Sequence, residues 1–407
     1  MRILYVNTYY SGGGAEKVAR QLYYGMKKRG IETFFLAGRL QKNIPEDIGV
    51  IYADFLGRCV TTLEGTIVPN TLLRTARARK EIIRIILEKK IDIVHFHNLH
   101  GNYIGISDLQ EIKKYCKHIV ITLHDMWLIT GCCPHAMSCK EWYLSACREC
   151  HGNAVLRYGK GYAGQLLAYK KRNYAGNGMV FVTPSKWLER CCGQGYLNCE
   201  NVQAIYNGID MEEYKAWDKN EVRKKYRLPF NKHIIMFSAN GIKNPYKGFT
   251  YLRKALCACR EKEDYALLVV GNKDNDRIDL PFDVYDMGYI AEEKVMNEIY
   301  AAADLFILPS MADVFPFTML EAMASGTPIL AFATGGIPEA VTKETGWIVP
   351  QGDSDALADK IKEIFDKEDQ LKDKTQKCRF YIENSFTENM MLDNYKKLYN
   401  EMMGERG

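Results

Sequence analysis

Short apolar runs separated by amphipathic stretches recur along the first 205 residues, and the rhythm restarts after them. Ile3 to Val6, Thr33 to Leu36, Ile119 to Leu123 and Val180 to Thr183 are apolar or β-branched, and Ile91 to Phe96 is mostly so, with Asp92 and His95 the exceptions; this is the pattern of strands buried on both faces. Apolar residues at helical spacing fill intervals such as Glu16 to Lys28 and Leu72 to Lys89. Further along, Ile234 to Ser238, Leu267 to Val270, Leu305 to Leu308 and Ile329 to Phe332 alternate with helical patterns, one of them Tyr251 to Arg260. Strands alternating with helices build a parallel sheet covered on both faces. The Asn207-Gly208 turn and the polar stretch Asp210 to Arg227 separate the two series. The expected architecture is α/β, with two doubly wound parallel-sheet (Rossmann-like) domains, 1–205 and 206–385, facing a central cleft. A last helix, roughly Thr387 to Met403 within 386–407, is expected to return to the first domain. Ligands of such sheets bind beyond the carboxyl ends of the strands.

Composition narrows the class. The 407 residues suit two or three domains, and 47% hydrophobic with 26% charged residues is a globular balance. No apolar run approaches the roughly 20 residues of a spanning helix. The opening Met1 to Tyr10 lacks the apolar core of a signal peptide, so a cytoplasmic location is expected. A net charge of +5 is too mild for a dedicated nucleic-acid binder. That figure averages two unlike halves. Residues 1–205 hold 28 Lys+Arg against 16 Asp+Glu, while 206–407 hold 27 against 34. The basic half suggests an anionic partner, either a lipid-phosphate carrier or the inner face of a membrane. The basic helix at 71–90 has a core-facing stripe, with a solvated outer face or one docked on such a surface.

Four places carry candidate chemistry. Ser11 to Ala19 (SGGGAEKVA) sets glycines between a strand and a helix, where a backbone can approach an anion; Gly13 and Gly14 are the candidates. Its spacing is not GxGxxG. In Asp313 to Glu321 (DVFPFTMLE), Pro316 suits a first helical turn. The N–H groups near Phe317 and Thr318 would then be available to a phosphate. Glu321, one turn on, can accept from vicinal hydroxyls as acidic residues do with ribose. His95 and His97 share one face of a strand, and His97 is a candidate for acceptor contact. Finally, five cysteines fall between 132 and 150. Cys133, Cys139, Cys147 and Cys150 could form a structural zinc site stapling a coreless insertion; free or disulfide-paired thiols and a redox role are the alternatives.

The stretch from 304 to 350, with Asp313, Glu321, Gly326, Pro328 and the Gly335-Gly336-Ile337-Pro338-Glu339 loop, resembles the donor-site signature of the retaining glycosyltransferases of family four. Asp313 stands where that family usually has Glu, and an Asp-x-x-Pro-x-Thr branch, akin to polysaccharide and exopolysaccharide enzymes, looks similar. GGAEKVA, Pro184 to Trp187, Asn207 to Asp210, Lys247-Gly248-Phe249 and Thr122-Leu123-His124-Asp125 extend the likeness over nearly the whole chain. The resemblance implies a GT-B fold with an acceptor-binding first domain and a donor-binding second. It implies sugar transfer with retention from a nucleoside-diphosphate sugar, a UDP-sugar favoured, to a glycan or lipid-linked acceptor, without a catalytic metal. By the same resemblance Lys247 meets the diphosphate, with Lys243 the nearest second cation, Asp313 contacts the donor sugar, and His124 lies beside the transferred sugar. A nucleotide-sugar epimerase and a non-catalytic two-lobed binder are the rival functions.

Overall fold

The structure, a computed structural model, describes the chain except residues 53–75, 102, 153–158, 160, 240, 260–261, 272–277, 279 and 405–407. It divides into two compact units, Met1–Tyr206 with Leu392–Gly407, and Asn207–Met391.

The first unit is built on a seven-stranded sheet in the order β3-β2-β1-β4-β5-β6-β7. Its strands are β1 (Arg2–Asn7), β2 (Glu32–Arg39), β3 (Gly49–Tyr52), β4 (Ile93–His97), β5 (His118–Thr122), β6 (Val180–Thr183) and β7 (Asn201–Ala204). Every pairing is parallel. Ile3 to Val6 are fully buried, as a central strand covered by helices on both faces requires. The second unit carries six parallel strands in the order β10-β9-β8-β11-β12-β13. These are β8 (His233–Ser238), β9 (Tyr265–Val270), β10 (Asp283–Asp286), β11 (Leu305–Leu308), β12 (Ile329–Phe332) and β13 (Gly346–Val349). Its core joins Ile235, Phe237, Leu252, Leu267, Leu305, Leu330 and Ile361.

The apolar runs of the sequence are the interior strands. Those the pattern overlooked, β3, β7, β10 and β13, are the four sheet edges. An edge strand is covered on fewer sides, so Asn201–Ala204 and Asp283–Asp286 are mixed in polarity and largely half-buried or exposed. The basic helix is seen from Ala76 to Lys89, and the expected positions 71–75 lie outside the described residues. Its buried face is Ala78, Ile82 and Ile86. The last helix, Glu388–Met403, contributes its residues from Leu392 onward to the first unit. There Leu392 packs so closely on Gly25 that a Cβ at that glycine would sit 2.4 Å from it. No described helix is long and apolar enough to cross a membrane.

Candidate active site

In the second unit the loops leaving β8, β11 and β12 meet backbone to backbone. The turn Pro245–Lys247 follows β8 and is capped by the Asn244 side chain, which accepts from the Tyr246 N–H at 3.0 Å. The Met311 N–H then donates to the Tyr246 carbonyl at 2.8 Å, tying this turn to the loop after β11. Contacts this close need glycine. Gly248 has φ +70°, and a Cβ there would fall 1.8 Å from the Pro309 carbonyl oxygen; Gly335 has φ +56°, with the same separation from that of Asp313. Held this way, the Lys247 ammonium donates to both oxygens of Asp313, at 3.0 and 2.9 Å. Helix Phe317–Ala324 begins next, with extended Pro316 at its N-cap and no side chain capping it. Phe317 is buried and Thr318 half-buried. Glu321, one turn in, accepts from the buried Tyr300 hydroxyl at 3.2 Å. Burial and the Glu321 charge hold Tyr300 well above the usual phenol range. Lys243 is exposed on the loop after β8. One residue that sequence reasoning missed is Ser310, whose fully buried hydroxyl has no hydrogen-bond partner.

In the first unit the polar groups line up at the carboxyl ends of β2, β1, β4 and β5. The glycine loop after β1 has Gly12 at φ +144°, and the Gly13 N–H donates to the Glu16 carboxylate at 2.9 Å, so helix Gly14–Lys28 caps itself. The Gln41 side chain accepts from the N–H groups of Tyr10 and Ser11 and donates to the Ser11 carbonyl, fixing the loop's entry. His95 is fully buried between Tyr399 and Thr122, its Nδ1 2.7 Å from the Tyr399 hydroxyl and its Nε2 2.8 Å from Thr122 Oγ1. His97 is fully buried too; its Nδ1 pairs with Nε2 of His124 at 2.9 Å, and its own Nε2 has no partner. His95 and His97, on one face of β4 as the strand period requires, form a buried stack with their rings 4.3 Å apart. Burial pushes all three imidazoles down, His124 to about 4, so they are neutral at pH 7. His100 behaves oppositely. Burial alone would lower it, but its contact with Asp125 at 2.7 Å raises it above the usual value and holds that carboxylate below its own.

Of the readings open for the cysteine segment, the zinc site finds no support and the free-thiol alternative is the one seen. All its thiols are free, and among the described residues no group of three or more His, Cys, Asp or Glu could hold a metal ion. Cys147 accepts from the Gly131 N–H at 3.3 Å, and burial pushes its thiol up to about 11. Cys133 is pulled down to about 6 by its hydrogen bond with Cys132, while Cys139 is exposed. The staple is a lysine that sequence reasoning missed. Lys170 is fully buried, donates to the carbonyls of Trp127, Thr130 and Gly131 at 2.5, 3.1 and 3.0 Å, and sits 3.5 Å from the Trp127 ring centroid. Burial pushes this amine down to about 7, and a lysine donating to three carbonyls closes the turn for which zinc thiolates were one candidate.

Two parallel Rossmann-like units, each with polar groups gathered at strand carboxyl ends, are the architecture of the GT-B fold. The model of Glycosyltransferase Family 4 matches residues 12–213, and that of Glycosyl transferases group 1 matches 232–367. This chain belongs to the family-four glycosyltransferases. It is 22% identical to N-acetyl-alpha-D-glucosaminyl L-malate synthase of Bacillus anthracis, over 98% of this chain and 96% of that one. It is 26% identical to the capsular polysaccharide biosynthesis glycosyltransferase CapM of Staphylococcus aureus, over 49% of this chain and 54% of CapM. Among solved structures, Anabaena Alr3699/HepE in complex with UDP-glucose superposes with a TM-score of 0.67 at 18% identity, over 98% of this chain and all of that one.

Proposed function

We propose that this enzyme transfers a sugar, with retention of configuration, from a nucleoside-diphosphate sugar to a glycan or lipid-linked acceptor in cell-surface polysaccharide synthesis. The observation that carries the donor reading is the doubly bonded Lys247–Asp313 pair next to a helix N-terminus that no side chain caps. A lysine shared with a carboxylate can turn one of its donors to a diphosphate. The helix N-terminus adds N–H groups and a favourable dipole. In this reading Lys247 and the backbone at Phe317 and Thr318 hold the diphosphate, with Lys243 a second cation at the loop. Glu321, oriented by Tyr300, receives the ribose hydroxyls. Asp313 contacts the donor sugar, and His124, kept neutral, hydrogen-bonds the transferred one. Gly13 and Gly14 leave room for the diphosphate and acceptor, and His97 meets the acceptor. The leaving diphosphate is stabilised by these cations and N–H groups without a catalytic metal and helps deprotonate the acceptor. A UDP-sugar is the favoured donor, in keeping with the UDP-glucose complex of the Anabaena protein.

Family membership disfavours a mere two-lobed binder. An epimerase would act on the donor with no acceptor present. Incubation with a panel of nucleotide-sugars in EDTA, with and without acceptor, followed by detection of released nucleoside diphosphate, decides among these. Acceptor-dependent release from a UDP-sugar is expected. Sugar isomerisation without release, or activity only after metal is restored, would overturn the reading. The basic surplus of residues 1–205 supports a cytoplasmic enzyme resting on the inner, anionic face of the membrane. Flotation with anionic but not neutral liposomes is the expected result, and binding to neither would refute it.

A further inference from the structure

Within the first unit, three polar side chains at the ends of adjacent strands are left unsatisfied. Arg39 closes β2, Asn7 closes β1 and His97 closes β4. The pairing Asn7↔Ala37 puts Arg39 two residues further along β2 and on the same sheet face as Asn7. The pairing Val6↔Phe96 sets His97 level with Asn7. Asn7 and His97 are fully buried, yet Asn7 Oδ1 and His97 Nε2 have no partner. Arg39 Nε is likewise screened from solvent and unpartnered, and its Nη1 reaches only the Tyr9 hydroxyl, at 3.4 Å. Among the described residues no carboxylate pairs with this guanidinium. An amide oxygen and an imidazole nitrogen left open in this way call for hydroxyl groups, and an unpaired guanidinium edge calls for an anion. Outer members of the row lie two strand spacings, roughly 10 Å, apart across the sheet, and Arg39 stands two residues further along β2, so their backbones are roughly 12 Å apart. One ring with a charged substituent spans most of that distance and the long Arg39 side chain can cover the rest, while Gln41 holds the adjoining loop in place.

We propose that the row Arg39, Asn7 and His97 is the acceptor subsite, and that the acceptor is a hydroxylated molecule carrying an anionic group, phosphate or carboxylate, which Arg39 binds. This rests on the glycosyl-transfer reading and adds to it the chemical class of the acceptor. His97 was already a candidate for acceptor contact; Arg39 and Asn7 are new specificity-determining residues.

The test titrates the full chain, and its Arg39→Gln and Arg39→Lys variants, with glucose, glucuronate and glucose 6-phosphate. The Arg39 Nε–H resonance is followed by nitrogen-edited NMR. At least one charged probe should bind tenfold or more tightly than glucose and shift that resonance. Arg39→Gln should erase the preference and Arg39→Lys should restore part of it. A stronger response to glucuronate assigns a carboxylate, and one to glucose 6-phosphate assigns a phosphate. Equal binding of all three probes, no binding of any, or anion binding that Arg39→Gln leaves unweakened overturns the proposal. A parallel UDP titration of the wild-type protein keeps the two readings apart. UDP binding without anion preference sinks the subsite and spares the donor site, whereas Arg39-dependent anion binding without UDP binding does the reverse.

Discussion

The two units build polar sites at equivalent ends of similar sheets by opposite means. The second unit draws its groups mostly from one stretch of sequence, 310 to 336, and adds Lys247 and Tyr300. Glycines there let strand-end loops touch, and charges face charges, as Lys247 faces Asp313. In the first unit the groups come from positions as far apart as Asn7, Arg39, His97, His124 and Tyr399, and most are neutral and buried. A phosphate-binding site needs backbone N–H groups and fixed charge, which a local motif can supply. The acceptor proposed for the first unit would be met by single donors and acceptors at chosen points, which only the assembled sheet can place.

The largest effect should come from the second unit's backbone contact. Gly335→Val forces a β-branched residue into a left-handed conformation with its Cβ on the Asp313 carbonyl. Strain and overpacking together should cost roughly 3 kcal/mol or more. Displacing Asp313 should lower turnover on the order of a thousandfold. Hydrogen exchange read peptide by peptide should show the loosening confined to 207–391; a variant that exchanges and turns over like the wild type would refute the contact's importance. The matching test in the first unit is Lys170→Met, which removes the donor shared by three buried carbonyls. A loss of roughly 3 kcal/mol in denaturant unfolding is expected, since unpaired buried carbonyls are costly and methionine recovers only the packing on Trp127.

Smaller, and aimed at chemistry, is Glu321→Ala. A charged acceptor for two hydroxyls contributes about 1.5–3 kcal/mol. Donor kcat/KM should therefore fall roughly ten- to a hundredfold with the chain still folded. Near-wild-type values would remove Glu321 from the site, and Lys247→Ala should lose activity in the same folded state.

The interior strands, and with them the fold, were legible because burial on both faces writes continuous apolar runs; the edge strands write no such pattern. The stretch around Asp313 and Glu321 could be singled out because its residues are neighbours in sequence. Arg39, Asn7 and Lys170 did not stand out, because an arginine at a strand end or a lysine in a helix looks like any solvated cation, and an asparagine before a loop looks like any turn residue. Only the pairing of distant strands shows the company it keeps. His95 looked like His97 on paper and differs because Tyr399, 304 residues away, claims its nitrogen.

The buried histidines also make the units differ in their response to acid. His95, His97 and His124 have native values below the ordinary 6.5, so the unfolded chain takes up protons first. Stability of the first unit should fall as pH drops from about 6.5 toward 4, by at most about 1.4 kcal/mol per pH unit for each histidine. His100 opposes this: its raised value adds stability below 6.5 that is lost as pH rises through its folded value. In the second unit Asp304 is depressed beside Lys219 and Arg223, so its contribution persists until pH falls below about 4. Hydrogen exchange between pH 7 and 4.5 should show 1–206 loosening before 207–391, and the reverse order would break the comparison.

The smallest expected effect is the sharpest test of what closes the turn after His124. A zinc site would make each thiolate ligand indispensable, because the metal's binding energy is folding energy. With Lys170 as the staple, exposed Cys139 bears no such load. Cys139→Ser should change unfolding free energy by less than about 0.5 kcal/mol, as a surface substitution does. Metal analysis of the anaerobically purified protein should find no stoichiometric zinc. Equimolar zinc together with a loss of several kcal/mol in Cys139→Ser would mean that the four thiols, and not the lysine, hold the segment, and Lys170→Met would then be the milder of the two substitutions.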